Sequence, residues 1–220
     1  MKRRYSGKSS KKYLGYPKRY RNAIPTGVYL KTKCELKYVD APYAIDIMSN
    51  AGSATAPYSA STFRLLNGIA QGNDNTQRIG RSITIKSIQL SCHTYKTGTP
   101  TVAQILRIII FIDKQANGAN PTNISSLMTP DNFLGNKNLV NDQRFQIIHD
   151  KELWCDINSY DQVFHNWYKK MNLKTTYQST GNGIADISTN AISVVVLGSS
   201  QDVTNRYDMN LRTRIRYTDE

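Results

Sequence analysis

Gly7-Lys8-Ser9 is the fragment nearest to a phosphate-binding loop, in which backbone amides and a lysine cradle a nucleotide. That loop needs a glycine five residues before its Gly-Lys pair. Lys2 stands there, and no strand precedes the fragment, so the chemistry fails. Cys92-His93 and His149-Asp150 pair groups that could ligate a metal or move a proton. Both pairs fall in stretches that read as strands, where neighbouring side chains point to opposite faces and cannot act together. No His-Glu-x-x-His, no Gly-x-Ser-x-Gly and no pair of histidines close to one carboxylate occurs. Gly181-Asn182-Gly183 reads as a turn rather than a phosphate loop. Asn123-Ile124-Ser125 is a formal glycosylation sequon, expected to be silent without a secretory leader. The residues therefore point away from an enzyme and predict no cofactor, no metal centre and no catalytic group.

The chemistry that the residues do offer is electrostatic. The 220 residues carry 29 Lys+Arg against 16 Asp+Glu, a formal charge of +13. Residues 1–22 hold Lys2, Arg3, Arg4, Lys8, Lys11, Lys12, Lys18, Arg19 and Arg21 and no acid; the first acidic residue is Glu35. Such a segment, with Ser, Gly and Pro17 and no apolar stripe, is expected to be disordered until it meets a polyanion. Lysines and arginines neutralise phosphates, and Tyr5, Tyr13, Tyr16 and Tyr20 are candidates to stack on unpaired bases. Lys2-Arg3-Arg4 and Pro17-Lys18-Arg19-Tyr20-Arg21 could also serve nuclear import through host machinery. Three cysteines (Cys34, Cys92 and Cys155) without a Cys-x-x-Cys fit a reducing compartment better than a disulfide framework. The longest apolar run, Ile105 to Ile112, is interrupted by Arg107 and too short for a helical membrane span.

The elements that must carry these charges read as strands. Val28 to Tyr38 alternates, with Leu36 and Tyr38 on the apolar face and Lys31, Lys33 and Lys37 on the polar one. Ser82 to Tyr95 changes phase near Lys86-Ser87, which predicts a β-bulge. Thr101 to Asp113 and Ala191 to Leu197 read as strands buried on both faces. Arg144 to Leu153 places Phe145, Ile147 and Leu153 together, and Phe164 to Tyr177 places Trp167, Met171 and Leu173 together. Ile184 to Ile187 is a short strand. In Leu211 to Tyr217, the residues Leu211, Thr213, Ile215 and Tyr217 alternate with Arg212, Arg214 and Arg216. Eight antiparallel strands with long loops predict a single all-β jelly roll of two four-stranded sheets over residues 27–220, preceded by a basic arm at 1–26. Trp154 and Trp167 are expected in the core or at subunit contacts, and loops 39–66 and 114–142 are the candidate contact surfaces.

An ordered set of fragments adds a family resemblance. It begins with Leu66-Asn67-Gly68-Ile69-Ala70-Gln71-Gly72, Arg78-Ile79-Gly80 and Ile83-Thr84-Ile85-Lys86-Ser87-Ile88. It continues with Ile109-Ile110-Phe111-Ile112-Asp113-Lys114-Gln115 with Asn117-Gly118, then Asn138-Leu139-Val140-Asn141, Arg144-Phe145-Gln146-Ile147-Ile148-His149-Asp150-Lys151 and Arg214-Ile215-Arg216-Tyr217. The set resembles the capsid proteins of circovirus-like viruses, whose genomes are circular single-stranded DNA. That resemblance implies a T=1 icosahedral shell of about 60 copies of the chain. It also implies an inward arm that packages the genome, assembly in the host nucleus, a place in the virion and an unknown cell-surface receptor. No membrane insertion is expected.

In a viral jelly roll the strands B to I form sheets BIDG and CHEF. The first strand here would be B, the last I, and the one with Arg107 D. Lys31, Lys33 and Lys37 would then lie beside Arg212, Arg214 and Arg216, with Arg107 extending the patch. Like charges facing one another across strands are unfavourable, and a bound polyanion relieves them. This sheet face is therefore predicted to line the shell and touch nucleic-acid phosphate, unless Glu35, Asp208 and Asp219 balance it. Arg144, Asp150 and Lys151 read as structural or inter-subunit ion-pair residues. Two alternatives stay open: a satellite RNA-virus capsid, because arm chemistry does not separate RNA from DNA, and a cellular nucleic-acid-binding β-domain.

Overall fold

The computed structural model describes residues 35–46, 63–96, 101, 103–121, 123–131, 133–157, 162–199 and 207–219, with side chains through 43 in the first segment. Among these residues the chain is all β apart from two single-turn 3-10 helices, at Ile124–Ser126 and Ile184–Asp186. Eleven strands occur among the described residues. They are β1 Leu36–Asp46, β2 Arg64–Leu65, β3 Ser82–Lys96, β4 Gln104–Asp113, β5 Met128–Thr129 and β6 Asn136–Lys137. They continue with β7 Phe145–Cys155, β8 Val163–Tyr177, β9 Ile187–Thr189, β10 Ala191–Gly198 and β11 Tyr207–Asp219. One antiparallel sheet runs β1-β11-β3-β8-β9, a second runs β2-β10-β4-β7, and β5 pairs with β6. Without the short β5, β6 and β9, the two orders are those of a jelly roll.

The expected sandwich is therefore present, with corrections at its start. Most of the predicted first strand lies outside the described residues, and β1 extends into the stretch expected to be a contact loop. The two-residue β2, too short to show a period, takes the second place in chain order. The next four long strands, through β8, each move on by one position, so the Arg107 strand is E, not D, while β10 and β11 keep the last two places because Ile184 to Ile187 drops out of the eight. Ile184 to Ile187 is mostly a 3-10 turn feeding β9.

Apolar patterning explains the layers. Ile83, Ile85, Ile88 and Leu90 of β3 meet Leu106, Ile108 and Ile110 of β4 and Val194 and Val196 of β10 in the core between the sheets. The predicted bulge at Lys86 keeps both halves of β3 facing inward: the β3–β8 register shifts between Ile85 and Ser87. β4 and β10 are buried on both faces, as their continuous apolar runs imply. Their second face, with Ile109, Phe111, Val195 and Leu197, packs beneath Ile124, Leu127, Met128 and Phe133. A register shift in β7 opposite Ile110 and Phe111 separates residues expected together. Phe145 and Ile147 join this second core, whereas Leu153 joins the first.

Arg78, 0% exposed, ties the ends of the sandwich. Its guanidinium donates to the carbonyls of Ile69 (2.9 Å), Gly80 (2.6 Å) and Ser179, and lies 4.1 Å from the centre of the Tyr177 ring. The Tyr177 hydroxyl donates to the Asn67 carbonyl at 2.8 Å. The Asn67 side chain accepts from the Ile192 amide at 2.8 Å and donates to the Asn190 carbonyl at 3.0 Å. Gly68 has no alternative here, because a Cβ would fall 2.1 Å from the Asn182 carbonyl oxygen.

His149 of β7 and His165 of β8 join the two sheets at one side. Their Nε2 atoms are 2.9 Å apart, and the rings are parallel within 3° with centroids 5.1 Å apart. They lie end to end, one nitrogen donating to the other, with Trp167 stacked on His149 at 4.5 Å. Burial first, and His165 second, pull His149 down to about 4, and Lys151 and Lys169 act in the same direction against Asp150. His165 is also lowered by burial and by Lys151.

Two predictions follow from these ties. Arg78→Lys cannot reach all three carbonyls and should lose about 3 kcal/mol of stability, read by urea unfolding. The unfolded chain binds more protons than the folded one below the ordinary imidazole value of 6.5. Stability should therefore be full above that pH, fall toward about 4 and then level off with respect to this pair. His149→Gln should flatten that part of the Tm-against-pH curve, a difference of about 2 kcal/mol once solvent screening is allowed for.

Candidate nucleic-acid interface

β11 alternates strictly, so its odd residues enter the core and Arg212, Arg214 and Arg216 leave on the outer face of the five-stranded sheet. The registers place Gln89, Ser91 and Ser87 of β3 beside these arginines. Tyr168, Asn166 and Lys170 of β8 come next. On the other side β1 contributes Tyr38, Asp40 and Pro42. The row of arginines predicted from sequence is thus real and lies on one sheet face.

Its neighbours differ from expectation. Lys37 is not on this face: it is 5% exposed and points inward with Tyr217, its Nζ 2.9 Å from Asp219 and 3.1 Å from the Gln77 carbonyl. Leu36 and Tyr38 take the outer face instead. The buried carboxylate of Asp219 compensates the inward lysine, which hydrophobic alternation alone could not reveal. Arg107 lies in the other sheet. It forks onto Asp150 at 2.8 and 2.7 Å and donates to the carbonyls of Phe133 (2.7 Å) and Gly135 (3.0 Å). Its partner Asp150 holds its pKa above the ordinary value. Arg107 is an internal tie between β4, β7 and the 133–135 turn. Arg144 forks similarly onto Asp113 at 3.0 and 2.8 Å, so the ion pairs of Arg144 and Asp150 are structural, as expected.

Asp40, not singled out from the sequence, is the acid that partly balances the arginine row. Arg214 Nε and Nη2 each donate to it at 2.7 Å, and Arg214 also lies 4.7 Å from the Tyr38 ring centre. The Arg214 hydrogen bonds hold the Asp40 carboxyl below the usual carboxylate range, with Arg212 and Arg216 adding to the effect. Arg212 and Arg216 make no ion pair with a described residue. Lys86 and Lys170 widen the patch. Both could have been found from the alternation of β3 and β8, because the former sits at the predicted bulge and the latter in phase with Tyr168. Lys2, Arg3, Arg4, Lys8, Lys11, Lys12, Lys18, Arg19, Arg21, Lys31 and Lys33, with Tyr5, Tyr13, Tyr16 and Tyr20, lie outside the described residues.

The other chemical candidates resolve into structural roles. The end-to-end histidines share a hydrogen bond, and among the described residues no group of three or more His, Cys, Asp or Glu is placed to hold a metal ion. Cys92 and Cys155 are buried free thiols, and burial pushes Cys92 up to about 11, which keeps it protonated. Asp186 accepts from the Gly183 amide at 2.7 Å, so a carboxylate already fills the Gly181-Asn182-Gly183 turn. The sequon residue Asn123 caps the first 3-10 turn through the Ser125 amide at 2.9 Å. Trp154 is 71% exposed, whereas Trp167 packs against the core. No helix among the described residues is long and apolar enough to cross a membrane.

Comparison with known proteins places this architecture. Residues 47–220 match the family described as satellite tobacco necrosis virus coat protein. The capsid protein of satellite tobacco necrosis virus 1 is 36% identical over 110 residues, which cover 49% of this chain and 54% of that protein. The match thus spans about half the length of the curated relative. These matches overturn the circovirus-like attribution and remove the basis for circular DNA cargo and nuclear assembly, which rested on that resemblance. The chain belongs to the satellite tobacco necrosis virus coat protein family.

Proposed function

We propose that the chain is a coat protein that closes into an icosahedral shell of about 60 copies of itself and packages single-stranded RNA. The basic arm at 1–26 and the outer face of the five-stranded sheet carry the RNA contacts, and the role is structural rather than enzymatic. The observation that carries this reading is family membership over residues 47–220 together with an exposed arginine row on one sheet face. Arg212 and Arg216 are the sheet's available phosphate ligands, while Arg214 is already engaged by Asp40. Contacts of this kind address the backbone and give affinity with little sequence preference.

Electron microscopy of the purified full-length protein should show uniform closed shells whose cargo is sensitive to ribonuclease after disruption. Only small oligomers, with or without added RNA, would sink the capsid reading. Deleting residues 2–21 should leave the domain folded and reduce encapsidated RNA. Replacing Arg212 and Arg216 together by Gln should weaken RNA binding and make the log–log salt dependence shallower by roughly 0.7 per lost contact. An unchanged slope would remove these two residues from the interface.

A further inference from the structure

The outer sheet face carries more than charge. Phe164 of β8 is 67% exposed. It stacks with His93 of β3, ring centroids 5.7 Å apart and planes 29° from parallel. The two rings border a cavity of about 460 Å3, open to solvent, whose lining includes Pro42, Ser91, Asn210 and Arg212. This size falls in the range of pockets that hold small ligands, roughly 300–1,000 Å3. Its chemistry is divided in the way a nucleotide is. The aromatic pair offers a stacking surface at one side, and Arg212 offers a cation without a carboxylate partner among the described residues. Between them stand polar side chains: the Asn210 amide is 3.3 Å from His93 Nε2, and Ser91 Oγ donates to Asn166 Oδ1 at 2.6 Å.

We infer that this cavity is a nucleotide subsite. It takes one unpaired base of an RNA strand against Phe164 and His93, with an adjoining phosphate on Arg212. The inference rests on the proposed RNA-binding role of this face and adds a preference for single strands. A paired base cannot leave its stack without an energetic cost, whereas an unpaired one stacks on an aromatic ring readily. Charge complementarity selects the occupant, because the cations Arg212, Arg216, Lys86 and Lys170 outnumber Asp40, the acid that meets Arg214 there.

The test uses the full-length protein and short oligoribonucleotides carrying one 2-aminopurine, as a single strand and as a duplex. Stacking quenches 2-aminopurine fluorescence. The wild type should quench the single strand and not the duplex. Phe164→Ala, at an exposed position, should abolish the quenching and weaken single-strand binding about tenfold, with duplex binding unchanged. Phe164→Tyr should restore both and Phe164→Leu, which keeps apolar bulk without a ring, should restore neither, a split that a merely structural role for the side chain would not predict. Circular dichroism confirms that each variant is folded.

Absence of quenching by the wild type, or quenching and affinity unaltered in Phe164→Ala, overturns the base subsite. If Arg212→Gln with Arg216→Gln still lowers the salt slope in that case, the phosphate-binding face stands without it. If that double variant also changes nothing, the RNA-binding reading of the face falls as well.

Discussion

A cation with no access to water must find its partners in the protein, and Arg78 does so with backbone carbonyls on both sides of a chain reversal. It closes the 66–81 segment onto Ser179, and Tyr177 beneath it passes the connection to Asn67 and then to β10. The two sheets are joined in sequence at this end of the sandwich, so their relative placement depends on this network being complete. Each member covers a polar group that would otherwise be buried unsatisfied, and loss of one exposes the others to that penalty. The outer face of the five-stranded sheet is ordered because its inner face is fixed in this way.

The sequence made the long strands legible because their patterns are strong. Period 2 in β11, the phase change in β3 and the unbroken apolar runs of β4 and β10 all have their expected structural meaning. Short elements were invisible: a strand of two residues has no period, and omission of β2 displaced the four long strands from β3 to β8 by one place. Phase was misjudged in β7 for the opposite reason, since a bulge there interrupts an otherwise plausible alternation. Lys37 and Arg107 were misplaced because a charged residue reads as solvated unless its acidic partner is known. Those partners, Asp219 and Asp150, lie far away along the chain.

The fragments that suggested a different virus group also have a physical explanation. Asn67, Gly68 and Arg78 close the end of the sandwich, Asp113 and Arg144 pair across β4 and β7, and Ile83 to Ile88 fill the core. These residues meet the demands of the architecture. Of the matching fragments only Lys86 and Ser87 of β3 and Arg214 and Arg216 of β11 reach the face proposed to contact RNA, so the likeness speaks mainly to the fold and says little about the cargo. The arginine row of β11 bears on cargo more directly, yet a phosphate-reading cation serves either nucleic acid equally.

The borders of the two sheets have a consequence for a chain proposed to reach high local concentration. A free strand edge is a template for pairing with another copy. Here the described edges are poor templates. β2 is two residues long and β9 three. β1 carries Pro42, which lacks an amide hydrogen, and β7 presents the charged run Asp150, Lys151 and Glu152. β8, which meets β9 only at Thr176 and Tyr177, carries Lys169, Lys170 and Lys174 along the rest of its border, so edge-to-edge growth into fibrils is discouraged along the described borders. Copies of this domain are left to meet through side chains and loops, whose geometry can close on itself where a growing sheet would extend without limit.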